Sequence, residues 1–331
     1  MTWLDLYEQV RTRTDAASGY YNHNIRAETD TGSVIVRIPI PGADVMDLQI
    51  WREEDVLTAI APYVDHAPRL LHVNADPRFQ IHSFLPGDVL NDIAPRGVPV
   101  PSYVLDDIVA LFAQLVHVPR EKLPPTPPDW PDDGDSAGFG RRIAALTQWV
   151  YDTFAESYAD LFATFGVPTE PLAAIEPSWA ALTRRPSVCV HADVHRKNMI
   201  VNNGTAAFLD WELALWGDPV YDLAVHIHKM GYLPEEQEAV TAGWLAALPA
   251  EYTTGWEHDL PAYLAHERIN SAIIDSVRYS QIFANDGPYP YPPEQLVETM
   301  AAKLNAARVP WGIAEEATPD EVRAAFAERA R

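Results

Sequence analysis

The densest run of chemistry-bearing residues in this chain is Val188 to Ile200, VCVHADVHRKNMI, followed closely by Ala206 to Asp218, AAFLDWELALWGD. Each opens with a short apolar run and switches abruptly to polar residues, the pattern of a strand ending in a loop. Asp193 and Asn198 share the first loop, and Asp210 closes the strand Ala207-Phe208-Leu209. Carboxylate and amide oxygens are hard ligands suited to Mg²⁺. A further carboxylate beside such an ion can orient a hydroxyl nucleophile. The triplet His191, Asp193, His195 also fits another chemistry, a transition-metal site of a hydrolase. That reading leaves Asn198, Asp210-Trp211-Glu212 and Asp222 without a role, whereas phosphoryl transfer uses them together.

The elements that must carry these loops are visible around them. Strand patterns at Asn24 to Glu28 and Val34 to Ile38, joined by the turn-rich Thr29 to Ser33, predict a hairpin. Pro39, Pro41 and Gly42 end it, and Met46 to Ile60 predicts a helix containing Glu53. Further strands are expected around Leu70 to Val73 and Phe79 to Phe84, before the breaker Pro86-Gly87. From Ser102 the pattern turns helical, with Leu105, Ile108, Leu111, Phe112 and Leu115 on one face. The proline-rich stretch Pro124 to Gly140 predicts an exposed loop or lid. One long amphipathic helix is expected after it, from Ile143 to Phe165, closed by Gly166. Helices over 234–248, 259–284 and 292–306 follow, with a weakly anchored helix after Pro310. These patterns predict an α+β chain with three parts. An N-terminal lobe of antiparallel sheet plus helix spans 1–85, a larger mainly helical C-terminal lobe spans 86–310, and a tail spans 311–331. The ligand site is expected in the cleft between the lobes, near a hinge at His82 to Gly87.

His191 to Asn198 resembles the H-x-D-x-x-x-x-N catalytic loop of the aminoglycoside phosphotransferase and choline kinase superfamily, relatives of protein kinases. Asp210-Trp211-Glu212 resembles that family's metal-binding acidic motif, and Asp218-Pro219 with Asp222-Leu223-Ala224 resembles the motif that follows it. The resemblance implies a bilobal protein-kinase-like fold. It further implies that Asp193 orients the acceptor hydroxyl, that His195 approaches the transferring phosphoryl group, and that Asn198 and Asp210 hold Mg²⁺. Asp222 braces the loop of His191 in this picture. In the N-terminal lobe, Ser18 to Asn22 stands at the nucleotide-covering turn and Arg37 at the phosphate-binding base. Glu53 is the partner of that base, and Ser83 and Leu85 form the hinge that receives a purine. Three departures stand out: no multi-glycine loop, Arg37 for the commoner lysine, and Ala192 and Lys197 where glycine is frequent. Arginine grips phosphate bidentately, and Asn22 or His23 would share phosphate binding with the backbone.

The net charge of -23 repels polyanions, so nucleic acid and anionic membranes are not expected as partners. A single cysteine, Cys189, and a start without an apolar core predict a reduced, cytoplasmic protein. Trp211, Trp216 and Tyr221 are read as core, and His226 and His228 as structural. Glu212, Glu267 and Asp275 are the candidate acceptor contacts; along Tyr263 to Phe283, Glu267, Asn270, Asp275 and Arg278 face either the cleft or water. Only Leu213 to Gly217 separates the acidic motif from Asp218, too short a segment to dock a protein substrate. The expected partners are therefore a nucleotide, ATP or GTP with Mg²⁺, and a small hydroxylated acceptor. An antibiotic is the favoured acceptor. A choline-like, sugar or amino-alcohol metabolite is the alternative, and a silent nucleotide-binding module is a third reading. Oligomeric state is not encoded in these patterns.

Overall fold

The computed structural model describes residues 2–13, 17–18, 22–40, 48–284 and 292–330. Gly19 to Tyr21 of the expected nucleotide-covering turn, Pro41 and Gly42, and the start of the helix expected from Met46 lie outside the described residues.

The first helix, α1 (Trp3–Val10), is followed by β1 (Ala17–Ser18), β2 (Asn22–Thr29) and β3 (Gly32–Pro39). The β-branched run Val34 to Ile38 favours strand, and Gly32, at φ 126°, enters β3 from the turn in a conformation open to glycine. The hairpin is longer than its apolar core, pairing Asn22 with Pro39 and Thr29 with Gly32. α2 (Glu53–Ile60) starts later than the predicted helix, because Arg52 is extended and Trp51 is buried with its indole N–H donated to Pro125 O at 3.1 Å. Glu53, Glu54 and Asp55 then fill the first turn, where carboxylates suit the helix dipole. β4 (Leu70–Ala75) and β5 (Arg78–Ser83) complete a five-stranded antiparallel sheet in the order β1-β2-β3-β5-β4. One face buries Ile25, Ala27, Val34, Val36, Phe79 and Ile81 against Leu6 and Val10 of α1. Arg37 points to the opposite face by strand alternation.

Two short elements, β6 (Asp88–Val89) and α3 (Leu90–Ile93), lead to α4 (Ser102–Leu115). The buried stripe of α4 begins at Val104 rather than Leu105, which is half-buried. α5 (Ser136–Phe154) begins inside the segment expected as a lid, since Asp135 caps it by accepting from Gly138 N at 2.9 Å. The rest of that segment is partly internal, with Trp130 buried. Gly140, the end of that stretch, lies inside the helix, where a Cβ would stand 2.5 Å from the Trp179 ring. The expected continuous helix to Phe165 is broken at 155–158, and α6 (Ala159–Phe165) follows as a separate element. The break allows Tyr151 to stack on Phe162 at 5.2 Å, whereas a straight helix would set those positions roughly 16 Å apart along its axis.

α7 (Glu176–Trp179) precedes β7 (Val188–Val190), β8 (Met199–Asn202) and β9 (Thr205–Phe208). A 3₁₀ turn, Trp211–Leu213, joins β9 to β10 (Leu215–Gly217), which pairs antiparallel with β7. β6, β8 and β9 form a three-stranded antiparallel sheet. Gly87 permits the β6–β8 approach: a Cβ there would lie 2.4 Å from Val201 O. α8 (Pro219–Met230), α9 (Pro234–Ala247) and α10 (Ala250–Thr253) follow. α11 (Trp256–Ala284), α12 (Pro293–Trp311) and α13 (Pro319–Arg329) end the chain. α13 is firmly packed, contrary to the expected loose tail: Phe326 is fully buried between Phe165 and Phe283, with ring centroids 5.7 and 5.6 Å away.

By compactness the chain forms one unit of Met1–Asp129 with Pro186–Thr253, and a second of Trp130–Arg185 with Thr254–Arg331. Among the described residues no helix is long and apolar enough to cross a membrane.

Candidate active site

Every residue of the two polar loops lies in the first unit. The loop 191–198 connects β7 to β8, and its shape is imposed from α8. Both carboxylate oxygens of Asp222 accept backbone bonds, from His191 N at 2.9 Å and Ala192 N at 2.8 Å. Ala192 is held at φ 59°, the left-handed region in which glycine is at ease and an alanine is strained, so the two bonds to Asp222 hold it there. Burial pushes the Asp222 carboxyl up to about 6 against the pull of those two bonds. His191 is fully buried, its ring centroid 4.3 Å from that of Trp211 and its ring nitrogens without hydrogen-bond partners. Burial holds it below its ordinary pKa, so it is a neutral packing group.

Asp193 is the centre of the loop. Its Oδ2 accepts from Asn198 Nδ2 at 2.7 Å, and its Oδ1 accepts from Lys229 Nζ at 2.5 Å. Burial raises the Asp193 pKa, but Lys229 and His195 outweigh it and hold the carboxyl below its ordinary value. His195 Nδ1 accepts from Lys197 N at 3.2 Å, which puts the ring proton on Nε2, 3.5 Å from Asp193 Oδ1. Burial lowers His195 to about 4 despite the neighbouring Asp193. The base of the loop is tied to the acidic motif by Leu209 N donating to Asn198 O at 2.8 Å.

Asp210 follows with φ 65° and ψ 67°, a left-handed residue that turns the chain from β9 into the 3₁₀ turn. Its Oδ1 accepts from Arg37 Nη2 at 2.7 Å, which brings the N-terminal sheet to the acidic motif. The same Nη2 reaches Glu212 Oε2 at 2.9 Å, and Arg37 Nε pairs with Glu53 Oε2 at 3.0 Å. Glu53 Oε1 accepts from Trp211 N at 3.2 Å. Turned so that its oxygen faces the guanidinium, the Asn22 amide accepts from Arg37 at 3.1 and 3.3 Å. One guanidinium thus meets three carboxylates, and Arg37, Glu53 and Glu212 are all buried. Burial raises Glu53 and Glu212, and neighbouring carboxylates add to the rise while Arg37 opposes it. Arg37 stays charged because those carboxylates outweigh the cost of burying it.

The donor set can be tested against Mg²⁺. Asn198 directs its amide N–H at Asp193, leaving its carbonyl oxygen as the ligand atom, and Asp210 keeps Oδ2 beside the oxygen facing Arg37. One carboxylate and one amide oxygen next to surplus negative charge fit a hard cation whose remaining ligands are phosphate and water. Among the described residues no group of three or more His, Cys, Asp or Glu side chains could hold a metal alone. The His191, Asp193, His195 reading of a hydrolase site therefore lacks a ligand set.

The other expected residues fall in different places. Ser83 N donates to Arg69 O, and its hydroxyl accepts from Arg69 N, both at 2.8 Å; Leu85 is half-buried between β5 and β6. Glu212 faces Arg37. Glu267 and Asp275 belong to the second unit and are buried there: Glu267 meets His266 Nδ1 at 3.0 Å, and Asp275 pairs with Lys303 at 2.5 Å. Asn270 accepts from Thr147 at 2.9 Å in the same unit.

Two residues were missed by sequence reasoning. Arg196 is buried inside the loop and donates to Met230 O, Ala94 O and Val98 O at 2.9, 2.6 and 3.0 Å. A lone arginine in the midst of a reactive loop gave the signal, but its partners are distant in sequence. Lys229 lies seven positions beyond Asp222, two turns along one helix face, a spacing that could have flagged it.

A family model described as "Phosphotransferase enzyme family" matches residues 12–258. No curated protein matches the chain in sequence. Among the solved structures that share its fold are three that span nearly all of both chains. The macrolide 2'-phosphotransferase MphH from Brachybacterium faecium is 18% identical, with 91% of this chain and 97% of that chain covered and a TM-score of 0.53. A choline/ethanolamine kinase family protein from Mesorhizobium loti is 16% identical, with 98% and 97% covered and a TM-score of 0.54. A thermostable mutant of aminoglycoside phosphotransferase APH(4)-Ia, in ternary complex with AMP-PNP and hygromycin B, is 13% identical, with 93% and 97% covered and a TM-score of 0.58. These likenesses carry the protein-kinase-like fold, an antiparallel sheet with a helix followed by a mainly helical part.

Proposed function

We propose, from the premise that this chain belongs to the phosphotransferase enzyme family and is a kinase-type phosphotransferase, that it transfers the γ-phosphoryl group of ATP or GTP to a hydroxyl of a small molecule. The observation that supports this reading is the convergence of Asp193, Asn198, Asp210 and the Arg37–Glu53 pair within one compact unit. Asp193, kept ionised, takes the proton of the acceptor hydroxyl as its oxygen bonds to the γ-phosphorus and the bond to the β-phosphate oxygen breaks. The products are a phosphate ester and a nucleoside diphosphate. Asn198 and Asp210 would hold Mg²⁺, which when bound neutralises phosphate charge. Arg37 binds the inner phosphates, oriented by Glu53, and neutral His195 offers its Nε2–H at the transfer point.

The favoured acceptor is an antibiotic hydroxyl, as for the phosphotransferases of similar fold that act on a macrolide or are solved with hygromycin B. An amino alcohol is the second reading, favoured by the equally extensive likeness to a choline/ethanolamine kinase family structure. A transfer screen with γ-labelled ATP and GTP against aminoglycosides, macrolides, sugars, choline and ethanolamine tests both. Labelled product with one acceptor class is expected. No transfer from either nucleotide, with stoichiometric zinc in the purified protein, would sink the reading.

A further inference from the structure

We propose that Lys229 is a positioning residue for phosphoryl transfer, holding the Asp193 carboxylate from α8 in the orientation in which it meets the acceptor hydroxyl. The inference rests on the phosphotransferase reading of the site. Asp222, His226 and Lys229 follow at steps of four and three residues, so they share one face of α8. Each grips a different part of the catalytic loop. Asp222 accepts from His191 N and Ala192 N, and His226 Nδ1 meets Val194 O at 2.9 Å. Lys229 Nζ reaches Asp193 Oδ1 at 2.5 Å, with Ala192 O 3.4 Å away. Two of the three residues hold backbone; the third holds the side chain that does chemistry.

The orientation this gives is specific. Asn198 fixes Asp193 Oδ2 from within the loop and Lys229 fixes Oδ1 from the helix, so the plane of the carboxylate is set from both ends. Each carboxylate oxygen keeps a second lone pair, which leaves room for a hydroxyl donor. His195 does not duplicate the role, since its Nε2 is 3.5 Å from Oδ1, at the outer limit of hydrogen bonding. Lys229 is thus the cation in contact with Asp193. A proton acceptor rotated off its line loses most of its effect, because proximity catalysis tolerates little displacement.

The test uses the full chain with Mg²⁺ and ATP or GTP, water serving as acceptor and released phosphate as readout. Lys229→Met should lower kcat roughly 10- to 100-fold while the nucleotide KM stays within about threefold, the signature of a misplaced group rather than lost binding. Lys229→Arg should recover most of the loss. In an Asp193→Asn background Lys229→Met should cost less than about twofold, because the lysine acts through the aspartate. An equal cost in both backgrounds, or wild-type kcat in Lys229→Met, overturns the inference. If Asp193→Asn is inactive while Lys229→Met matches wild type, the phosphotransferase reading survives and only the role of Lys229 falls. If wild-type protein turns over neither nucleotide with water or with any acceptor of the screen, both fall together.

Discussion

Each compact unit contains a buried arginine paired with acid, and the two clusters are built differently. In the second unit Arg185 meets Asp259 with both side chains fully buried. Asp259 also accepts from Thr183 N at 2.9 Å and Arg185 donates to Thr183 O at 3.1 Å, so charge and hydrogen bonds close locally. In the first unit Arg37 faces Glu53, Asp210 and Glu212, and a single cation cannot neutralise all three. A closed pair has no use for a ligand. An open cluster with excess acid must hold protons or attract a cation, and the raised Glu53 and Glu212 are the sign of that tension. The contrast separates a charge pair that closes on itself from the one proposed to serve chemistry.

The sharpest break of the contrast comes from the chemistry itself. Asp193→Asn should cut turnover roughly 10²- to 10⁴-fold, as loss of a general base does, with nucleotide affinity by calorimetry nearly unchanged. Near-wild-type turnover would remove Asp193, in the loop beside the open cluster, from the chemistry.

Next in size is stability. Arg185→Met takes the guanidinium away from buried Asp259, leaving it Thr183 N and His258 Nδ1, and should cost about 3–5 kcal/mol in urea unfolding, without altering nucleotide KM. Glu212→Gln removes surplus acid while keeping an acceptor for Arg37, and should change stability by less than about 1.5 kcal/mol. Equal losses in the two variants would erase the distinction between the clusters.

The sequence made the first cluster readable and left the second hidden. Asp193, Asn198 and Asp210 announce themselves because strand-to-loop switches are local, whereas the Arg37–Glu53 pairing is what the family resemblance implies for a charged residue in an apolar strand. Lys229 and Arg196 were not legible, since their partners are set by how α8 lies along the loop. Arg185 and Asp259 are far apart in sequence and lie in no motif. The helix break at 155–158 and the packing of Phe326 escaped for the same reason: ring contacts across elements override a periodicity that reads as continuous.

Nucleotide should reveal the open cluster at a smaller scale. With Mg²⁺, ATP at a hundredfold excess over Kd stabilises by about 2.7 kcal/mol, and EDTA or Asp210→Ala should remove most of the resulting rise in Tm. An equal Tm rise in EDTA would detach Asp210 from the metal. The smallest effect is in pH. His226 is fully buried, and burial lowers its pKa to about 4 from 6.5. The unfolded state takes up its proton first, so this contribution is fully present above 6.5 and is lost as pH falls from 6.5 through about 4. His226→Gln keeps a donor for Val194 O, and its urea midpoint should fall less steeply across that window. Parallel pH slopes for the two proteins would show that His226 does not titrate on unfolding.

Ala192 carries a consequence for how such a loop can change over generations. A left-handed alanine is strained by roughly 1–2 kcal/mol, and here it is kept in place by two bonds to Asp222. The bend at the heart of the motif is therefore held from α8, while glycine at position 192 would keep both backbone bonds to Asp222. A single change at position 222 would let the alanine relax, and the reactive residues would lose their common frame although each was still present.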